Sequence, residues 1–134
     1  MAFSYSETAR QALATTYFGG AALTVPSSYD LALFTGDPNN GGVECTGTGY
    51  ARIALTNNGT NWVVVTGTNY KTYRNGTDWI WTASAGAGWG IPNWVGLYNG
   101  GTLLMGMEIS NATPVLAGEA MRILANGMQV QFLN

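Results

Sequence analysis

A chain of 134 residues has the length of one ordinary domain, and its hydrophobic fraction of 46% is enough for one core. Aromatic residues reach 12%, which excludes global disorder. The net charge is −2 and only 9% of residues are charged, so the surface must consist largely of Asn, Thr, Ser, Gly and backbone. Such a surface suits a protein packed against neighbours, and the alternative is a stable extracellular domain with an uncharged face.

The N-terminal segment is the one good helix candidate. Ser4 followed by Glu7 fits a capping box, in which the two side chains satisfy free backbone N–H groups at the start of a helix. Gly19–Gly20 supplies the C-terminal stop. The pattern therefore predicts a single helix between these two signals.

One narrow apolar stripe runs along this helix, formed by Ala9, Leu13 and Tyr17 at i, i+4 and i+8. A helix of about 13 residues is marginal alone, so the stripe should dock on the chain's own β-domain or on a neighbouring subunit. We therefore divide the chain into an N-terminal helical arm over residues 1–20 and a β-sandwich domain over residues 21–134.

After residue 20 short apolar runs alternate with turn signals. Residues 67–73 are polar and are predicted to form an extended loop, whereas Asn75–Gly76 and Asn126–Gly127 are predicted hairpin turns. Seven or eight short strands of this kind predict an all-β fold, a β-sandwich or jelly roll with a short N-terminal α-helix. The predicted strands are 29–35, 50–56, 62–66, 78–82, 93–98, 102–109, 120–124 and 128–133.

The residue inventory offers little for catalysis. The chain has no histidine, which removes the usual general base and the commonest neutral metal ligand. The single thiol, Cys45, has no histidine to activate it and forms no intrachain disulfide. Seven carboxylates are spread singly along the chain. We therefore predict a protein that is not an enzyme, with no catalytic residues and no cofactors.

Asp37 and Glu44 flank a loop rich in Gly and Asn, which could offer oxygen ligands to Ca²⁺. Their spacing matches no known calcium loop. The favoured interpretation is that Asp37–Pro38 starts a turn in which the Asp side chain bonds nearby backbone. No metal site is predicted.

The five tryptophans suggest carbohydrate binding, since exposed aromatic faces stack on sugar rings. The favoured alternative is that most of them fill the core or a subunit interface. Trp79 and Trp81 should project from one face of a strand because side chains alternate with a period of two. If any tryptophan binds sugar, Trp79 and Trp89 are the first candidates.

Two motifs occur in order near the first core strand. Leu31–Pro38 reads Leu-Ala-Leu-Phe-Thr-Gly-Asp-Pro, and after a Gly-rich loop Gly49–Asn58 reads Gly-Tyr-Ala-Arg-Ile-Ala-Leu-Thr-Asn-Asn. Together they resemble a family of small bacteriophage virion structural proteins, which includes tail-fibre-like members and others similar to capsid cement or decoration proteins. The resemblance continues through Trp89–Gly90, Val95–Tyr98 and Gly118. The Tyr- and Trp-rich middle over residues 63–81 is longer than in that family.

The motif residues have a physical role of their own. Asp37–Pro38 should set the turn after the first core strand. Tyr50 is expected to bury its ring and to bond through its hydroxyl. Arg52 should pair with a carboxylate or cap backbone carbonyls. We expect these residues to be structural.

The resemblance implies a virion protein, synthesised in the host bacterial cytoplasm, with no catalytic residues to carry over. The favoured hypothesis is a capsid decoration or cement protein that stabilises the shell by binding adjacent major capsid protein subunits. The alternative is a tail or tail-fibre component involved in binding a host receptor, such as a glycan. A free carbohydrate-binding module is a third option, which the lack of a secretory signal disfavours.

The expected partners are the phage major capsid protein and further copies of the chain, with a trimer as the first expectation. No nucleic-acid partner is expected, because the basic residues are scattered. No membrane is expected, because no apolar stretch approaches the roughly 20 residues of a membrane span. The candidate interface residues are Leu13, Tyr17, Phe18, Trp79, Trp81 and Trp89.

Overall fold

The computed structural model describes residues 3–22, 24–67, 70–81 and 88–133. Within these ranges the chain is mostly β with one short N-terminal helix, which confirms that part of the predicted fold class. The elements in chain order are β1 Phe3–Tyr5, α1 Glu7–Gly19, β2 Ser28–Thr35, β3 Val43–Glu44, β4 Ile53–Thr56, β5 Trp62–Thr66, β6 Tyr70–Asn75, β7 Trp79–Trp81, β8 Trp94–Asn99, β9 Thr102–Glu108, β10 Met121–Ile123 and β11 Gln129–Leu133.

The described strands form three antiparallel sheets. The largest has six strands in the order β1-β9-β8-β2-β3, with β4 also pairing with β2. A second sheet pairs β10 with β7, and a third has the order β11-β6-β5. The sandwich or jelly-roll arrangement of these sheets stays a prediction, as does the boundary between the helical arm and the β-domain.

Strand β2 is the centre of the large sheet, and its middle is buried on both faces. The four successive residues Leu31–Phe34 are all buried, a pattern typical of a strand covered on both sides rather than on one. One edge of β2 pairs with β8. The other edge pairs with β3 at its C-terminal end and with β4 at its N-terminal end.

One hydrophobic core joins the three sheets. Buried side chains of the six-stranded sheet meet those of the two smaller sheets in a single cluster. Burial of this much apolar surface is the main favourable contribution to folding. The cluster includes Leu31, Leu33, Val95, Met107, Trp79, Trp81, Ile123 and Val130.

The helix begins two residues later than the capping-box prediction. Ser6 is the N-cap, and its hydroxyl accepts a hydrogen bond from the Ala9 N–H at 3.1 Å. The Ser4–Glu7 capping box is therefore wrong, because Ser4 lies in β1 and pairs with Gly106 of β9. The predicted stop is confirmed, since Gly20 adopts a left-handed conformation with φ 70°.

Two predicted hairpins are wrong. Strand β6 begins at residue 70, inside the predicted loop, and pairs with β5 and β11 rather than with β7 across Asn75–Gly76. The strands on either side of Asn126–Gly127 likewise pair with β7 and β6, not with each other. The strands predicted over 93–98 and 102–109 are present as β8 and β9, and these two strands do pair as an antiparallel hairpin.

The reason for the first error lies in the side chain of Asn75, which is fully buried. Its Nδ2 donates to the carbonyls of Thr77 and Leu124 at 2.9 and 2.8 Å, and its Oδ1 accepts from the Met128 N–H at 2.8 Å. Asn75 thus connects the end of β6 to the segment between β10 and β11.

Among the described residues, no helix is long and apolar enough to cross a membrane.

Candidate interaction surfaces

The polar residues of the sequence motifs build a structural network around β2. Arg52 and Glu44 form a bidentate ion pair, with Nε to Oε1 at 2.8 Å and Nη2 to Oε2 at 2.7 Å. The Arg52 guanidinium also lies 3.9 Å from the centroid of the Tyr98 ring. Since Glu44 is on β3 and Tyr98 is on β8, the contact spans both edges of β2.

Tyr50 satisfies a backbone group that the sheet leaves open. Between the stretches paired with β3 and β4, the N–H of Leu33 donates to the Tyr50 hydroxyl at 3.0 Å. The same hydroxyl donates to Glu44 Oε1 at 3.0 Å. The Tyr50 ring packs edge to face on Trp89, with centroids 5.5 Å apart. The expected structural roles of Tyr50 and Arg52 are confirmed.

The electrostatics of this network keep each group in one protonation state at neutral pH. Hydrogen bonds from Arg52 lower the pKa of Glu44, so the carboxylate stays ionised. Burial raises the pKa of Tyr50, so its hydroxyl keeps the proton that it donates. Burial also raises the pKa of the Cys45 thiol to about 11, which keeps it in the unreactive form.

The Asp37 loop has the expected turn structure. Burial acts to raise the pKa of Asp37, but hydrogen bonds from Ser4, Asn39 and Asn40 outweigh it and lower that pKa. Asp37 Oδ1 accepts from the Ser4 hydroxyl at 2.6 Å and from the Asn39 N–H at 2.9 Å. The Asp37 carboxylate therefore stabilises the turn and its contact with β1, whereas the Glu44 carboxylate pairs with Arg52.

Two other carboxylates in the described ranges form ion pairs at the surface. Glu7 pairs with Arg10 within α1, and Asp78 pairs with Arg122 beside the strands of the small sheet. Within the part of the chain that the structure describes, no three Cys, Asp or Glu residues come together as a metal site would require.

The three tryptophans among the candidate interface residues lie in the core. Trp79 and Trp81 are each 1% exposed and Trp89 is 4% exposed. Trp79 and Trp81 share the buried face of β7, as their spacing predicts. These three rings therefore fill the core, as the favoured interpretation of the tryptophans expects, and offer no exposed face to a neighbouring subunit or to a sugar.

The candidate interface residues on α1 lie at the surface. No residue of α1 is buried, and Leu13, Tyr17 and Phe18 are 41%, 79% and 93% exposed. Exposed apolar side chains grouped on one element are typical of a contact surface. We call the exposed side chains of Leu13, Tyr17 and Phe18 the α1 surface.

An open groove lies between α1 and the large sheet. Its volume is about 470 Å³, and Ala9 and Leu13 line the helix side. Tyr5, Leu104 and Met105 line the sheet side. The helix thus rests beside the sheet without covering it, and part of the predicted stripe stays open to solvent.

Residues 4–131 match the model of a family described as "Podophage GP4 fiber I protein gp80". No curated protein matches the chain. The match covers the motifs around β2, the Tyr50 and Arg52 network and the hairpin of β8 and β9. The chain therefore belongs to the podophage GP4 fiber I protein gp80 family, a family of small structural proteins of the phage virion.

Proposed function

We propose that the chain is a component of a tail fibre of a podophage and acts through its surfaces, without catalysing a reaction. The observation that carries the proposal is the family match over residues 4–131, since the matched family is named for a fibre. The match spans almost the whole chain, so the proposed function applies to the chain as a whole and not to one segment of it.

The distribution of charge and apolar surface supports a role in assembly. Only 9% of residues are charged, so copies of the chain repel one another weakly. Phe18 and Tyr17 offer large apolar side chains on the α1 surface. Aromatic side chains of this kind are enriched in protein interfaces. We expect the α1 surface to contact a neighbouring subunit of the fibre.

Capsid decoration, with the major capsid protein as partner, is the competing function. Quantitative mass spectrometry of purified virions separates the two. A fibre component should be present in far fewer copies than the major capsid protein, and labelled antibody should bind at the tail. Copies comparable to the major capsid protein, with label over the shell, would favour decoration.

The contribution of the α1 surface is tested with Phe18→Ser in the phage. We expect the variant chain to fold as the wild type does but to be incorporated into virions at a reduced level. Leu124→Ser is the matched control, because Leu124 is 57% exposed and lies outside the α1 surface. Wild-type incorporation of Phe18→Ser would count against this surface.

Receptor binding, including binding of a glycan, would have to use aromatic residues other than the buried Trp79 and Trp89. Tyr17 and Phe18 are the exposed aromatic pair on α1. Adsorption assays on host cells with Tyr17→Ser test this role directly. A virion that assembles fully but adsorbs poorly would show receptor binding, whereas unchanged adsorption would exclude it at this position.

The layered form of the domain is part of the proposal. Side chains from all three sheets meet in one core, as they do between the layers of a β-sandwich. A cryo-EM map of the assembled virion would show the relative orientation of the sheets. In packed sheets the strands of the two layers are either nearly aligned or nearly perpendicular. Strand directions that fit neither arrangement would contradict the sandwich.

A further inference from the structure

Strand β5 is an edge strand with an unusual composition. It reads Trp-Val-Val-Val-Thr and pairs on one side with β6, at the end of the three-stranded sheet. In the described ranges, no strand pairs with its other side. Natural proteins commonly protect such an edge with a charged residue, a proline or a bulge. β5 contains no charged residue and no proline.

The direction of the backbone groups follows from two bonds beside the strand. The Gly76 N–H donates to the Asn61 carbonyl at 2.8 Å, just before β5 begins. The Asn75 N–H donates away from β5, to the Met128 carbonyl at 3.2 Å. In an antiparallel pair, hydrogen-bonded and non-hydrogen-bonded residues alternate. Asn61 and Gly76 therefore form a hydrogen-bonded pair. From this pair onwards, the residue pairs along β5 alternate between non-hydrogen-bonded and hydrogen-bonded.

Counting along the register from there, Val63 and Val65 bond towards β6. The alternate residues turn their N–H and C=O groups to the open side, namely Trp62, Val64 and Thr66. The Trp62 N–H is taken by the Asn58 carbonyl at 3.0 Å. The N–H groups of Val64 and Thr66 have no backbone partner in the described part of the chain.

The side chains of β5 are exposed on both faces of the sheet. Val63, Val64 and Val65 are 38%, 49% and 37% exposed. Consecutive β-branched residues favour extended pairing, and their burial against a second strand would remove apolar surface from water. An edge with free backbone groups and apolar side chains is a ready template for another strand.

We propose that β5 is a self-association surface, on which two copies of the chain pair their β5 strands antiparallel about a two-fold axis through Val64. In this register Val64 lies opposite Val64 of the second copy, and Val63 lies opposite Val65. The outward groups of Val64 then bond reciprocally, and the valines of both copies form one apolar cluster on each face. No charged side chain of β5 is buried by the contact.

A second copy fits this edge because the strand is self-complementary. An isologous two-fold contact requires the same surface to match itself, and the run of three valines centred on Val64 does so. The proposal goes beyond the fibre assignment and does not depend on it. A contact of five residues per chain is smaller than a standard interface, so we expect it to need a high chain concentration.

The decisive variants change the open side of β5 and leave its pairing with β6 intact. Val64→Pro removes an outward N–H that the β6 ladder does not use, and prolines are tolerated at such edge positions. Val64→Lys places a charge at the centre of the apolar contact. Ile80→Lys is the matched control, because Ile80 is 53% exposed on a strand of another sheet.

Sedimentation velocity at high micromolar concentration measures the outcome, with circular dichroism confirming the fold of each variant. We expect the wild type and Ile80→Lys to share one mass, and folded Val64→Lys and Val64→Pro to show half of it. Should Val64→Pro fail to fold, Val64→Lys decides alone. A monomeric wild type, or an unchanged mass for folded Val64→Lys, would overturn the proposal.

Cysteines that face each other across the proposed contact test the register. Directly opposed residues that exchange no hydrogen bonds have Cα atoms about 4.5 Å apart and closer Cβ atoms than hydrogen-bonded pairs, so their geometry suits a disulfide. In the proposed register Val63 of one copy and Val65 of the other form such a pair. A mixture of Val63→Cys and Val65→Cys should therefore give a disulfide-linked dimer of the two variants on mild oxidation, and a mixture of Val63→Cys and Ile80→Cys should not. The native thiol, Cys45, is buried and does not compete. A dimeric mixture of Val63→Cys and Val65→Cys that gives no cross-link would contradict the two-fold pairing.

Discussion

Arg52 and Glu44 form a bidentate ion pair across the gap between β3 and β4, with the Arg52 guanidinium stacked on the Tyr98 ring. The pair is largely shielded from solvent, since the side chains are 32% and 26% exposed. The strands β3 and β4 are short and have few backbone bonds of their own to β2. The ion pair therefore helps to hold both strands against β2.

Loss of this pair should destabilise the fold. We expect Arg52→Ala to lower the free energy of unfolding by about 1 to 2 kcal/mol, because it removes two charge-assisted hydrogen bonds and the stacking contact. Urea denaturation measures the change. Arg10→Ala is the matched control, since the Arg10–Glu7 pair is exposed and should contribute little. Equal losses in the two variants would contradict a special role for Arg52.

The ion pair also predicts a pH dependence. The pKa of Glu44 is lower in the folded chain than its ordinary value of 4.5, with the hydrogen bonds from Arg52 as the main cause. As the pH falls below about 4.5, the unfolded chain takes up this proton before the folded chain does. The stability due to Glu44 is therefore complete above that pH and is lost as the pH falls through the folded pKa.

Denaturant titrations at neutral and acidic pH test this dependence. The free energy of unfolding of the wild type should fall as the pH is lowered below about 4.5, and Glu44→Gln should show a shallower fall. Glu7→Gln removes an exposed carboxylate from the helix and should follow the wild-type curve. A Glu44→Gln curve parallel to the wild type would show that other groups cause the acid dependence.

The hydroxyl of Tyr50 has a separate test. Tyr50→Phe keeps the ring on Trp89 but leaves the Leu33 N–H without its acceptor, which should cost about 1 to 3 kcal/mol. Hydrogen exchange at the Leu33 amide should become faster at the same time. Tyr17→Phe, at a residue that is 79% exposed, should leave both stability and exchange unchanged. Unaltered exchange at Leu33 would refute the assigned bond.

Gly96 allows two rings to lie side by side on β2 and β8. Phe34 and Tyr98 stack with centroids 6.4 Å apart, and a Cβ at position 96 would lie 2.7 Å from the Phe34 Cε2 atom. We expect Gly96→Ala to lower stability by about 1 to 3 kcal/mol through overpacking. Gly101→Ala is the control, because its added Cβ would meet nothing within 4 Å. Thermal unfolding of both variants would reveal the difference, and equal melting temperatures would exclude the clash.

Several features of this fold were determined by local sequence. Gly20 ends the helix because glycine adopts the left-handed conformation of the C-cap without a steric cost. The spacing of Trp79 and Trp81 places them on one face of β7 because strand side chains alternate. The apolar run Leu31–Phe34 marks the central strand. Tyr50 forms a hydrogen bond through its hydroxyl and Arg52 pairs with a carboxylate, as their side-chain chemistry predicts.

The tertiary structure alone decided which partner each segment has. Asn75–Gly76 has the local chemistry of a hairpin turn, but the Asn75 side chain bonds groups at positions 124 and 128, and these distant bonds prevail. Residue type likewise did not decide whether Trp79 fills the core or a subunit interface, or that Phe18 is exposed, because burial depends on which sheets pack together. The open edge of β5 is also a property of the assembled sheet, since a strand's sequence does not state how many neighbours it has.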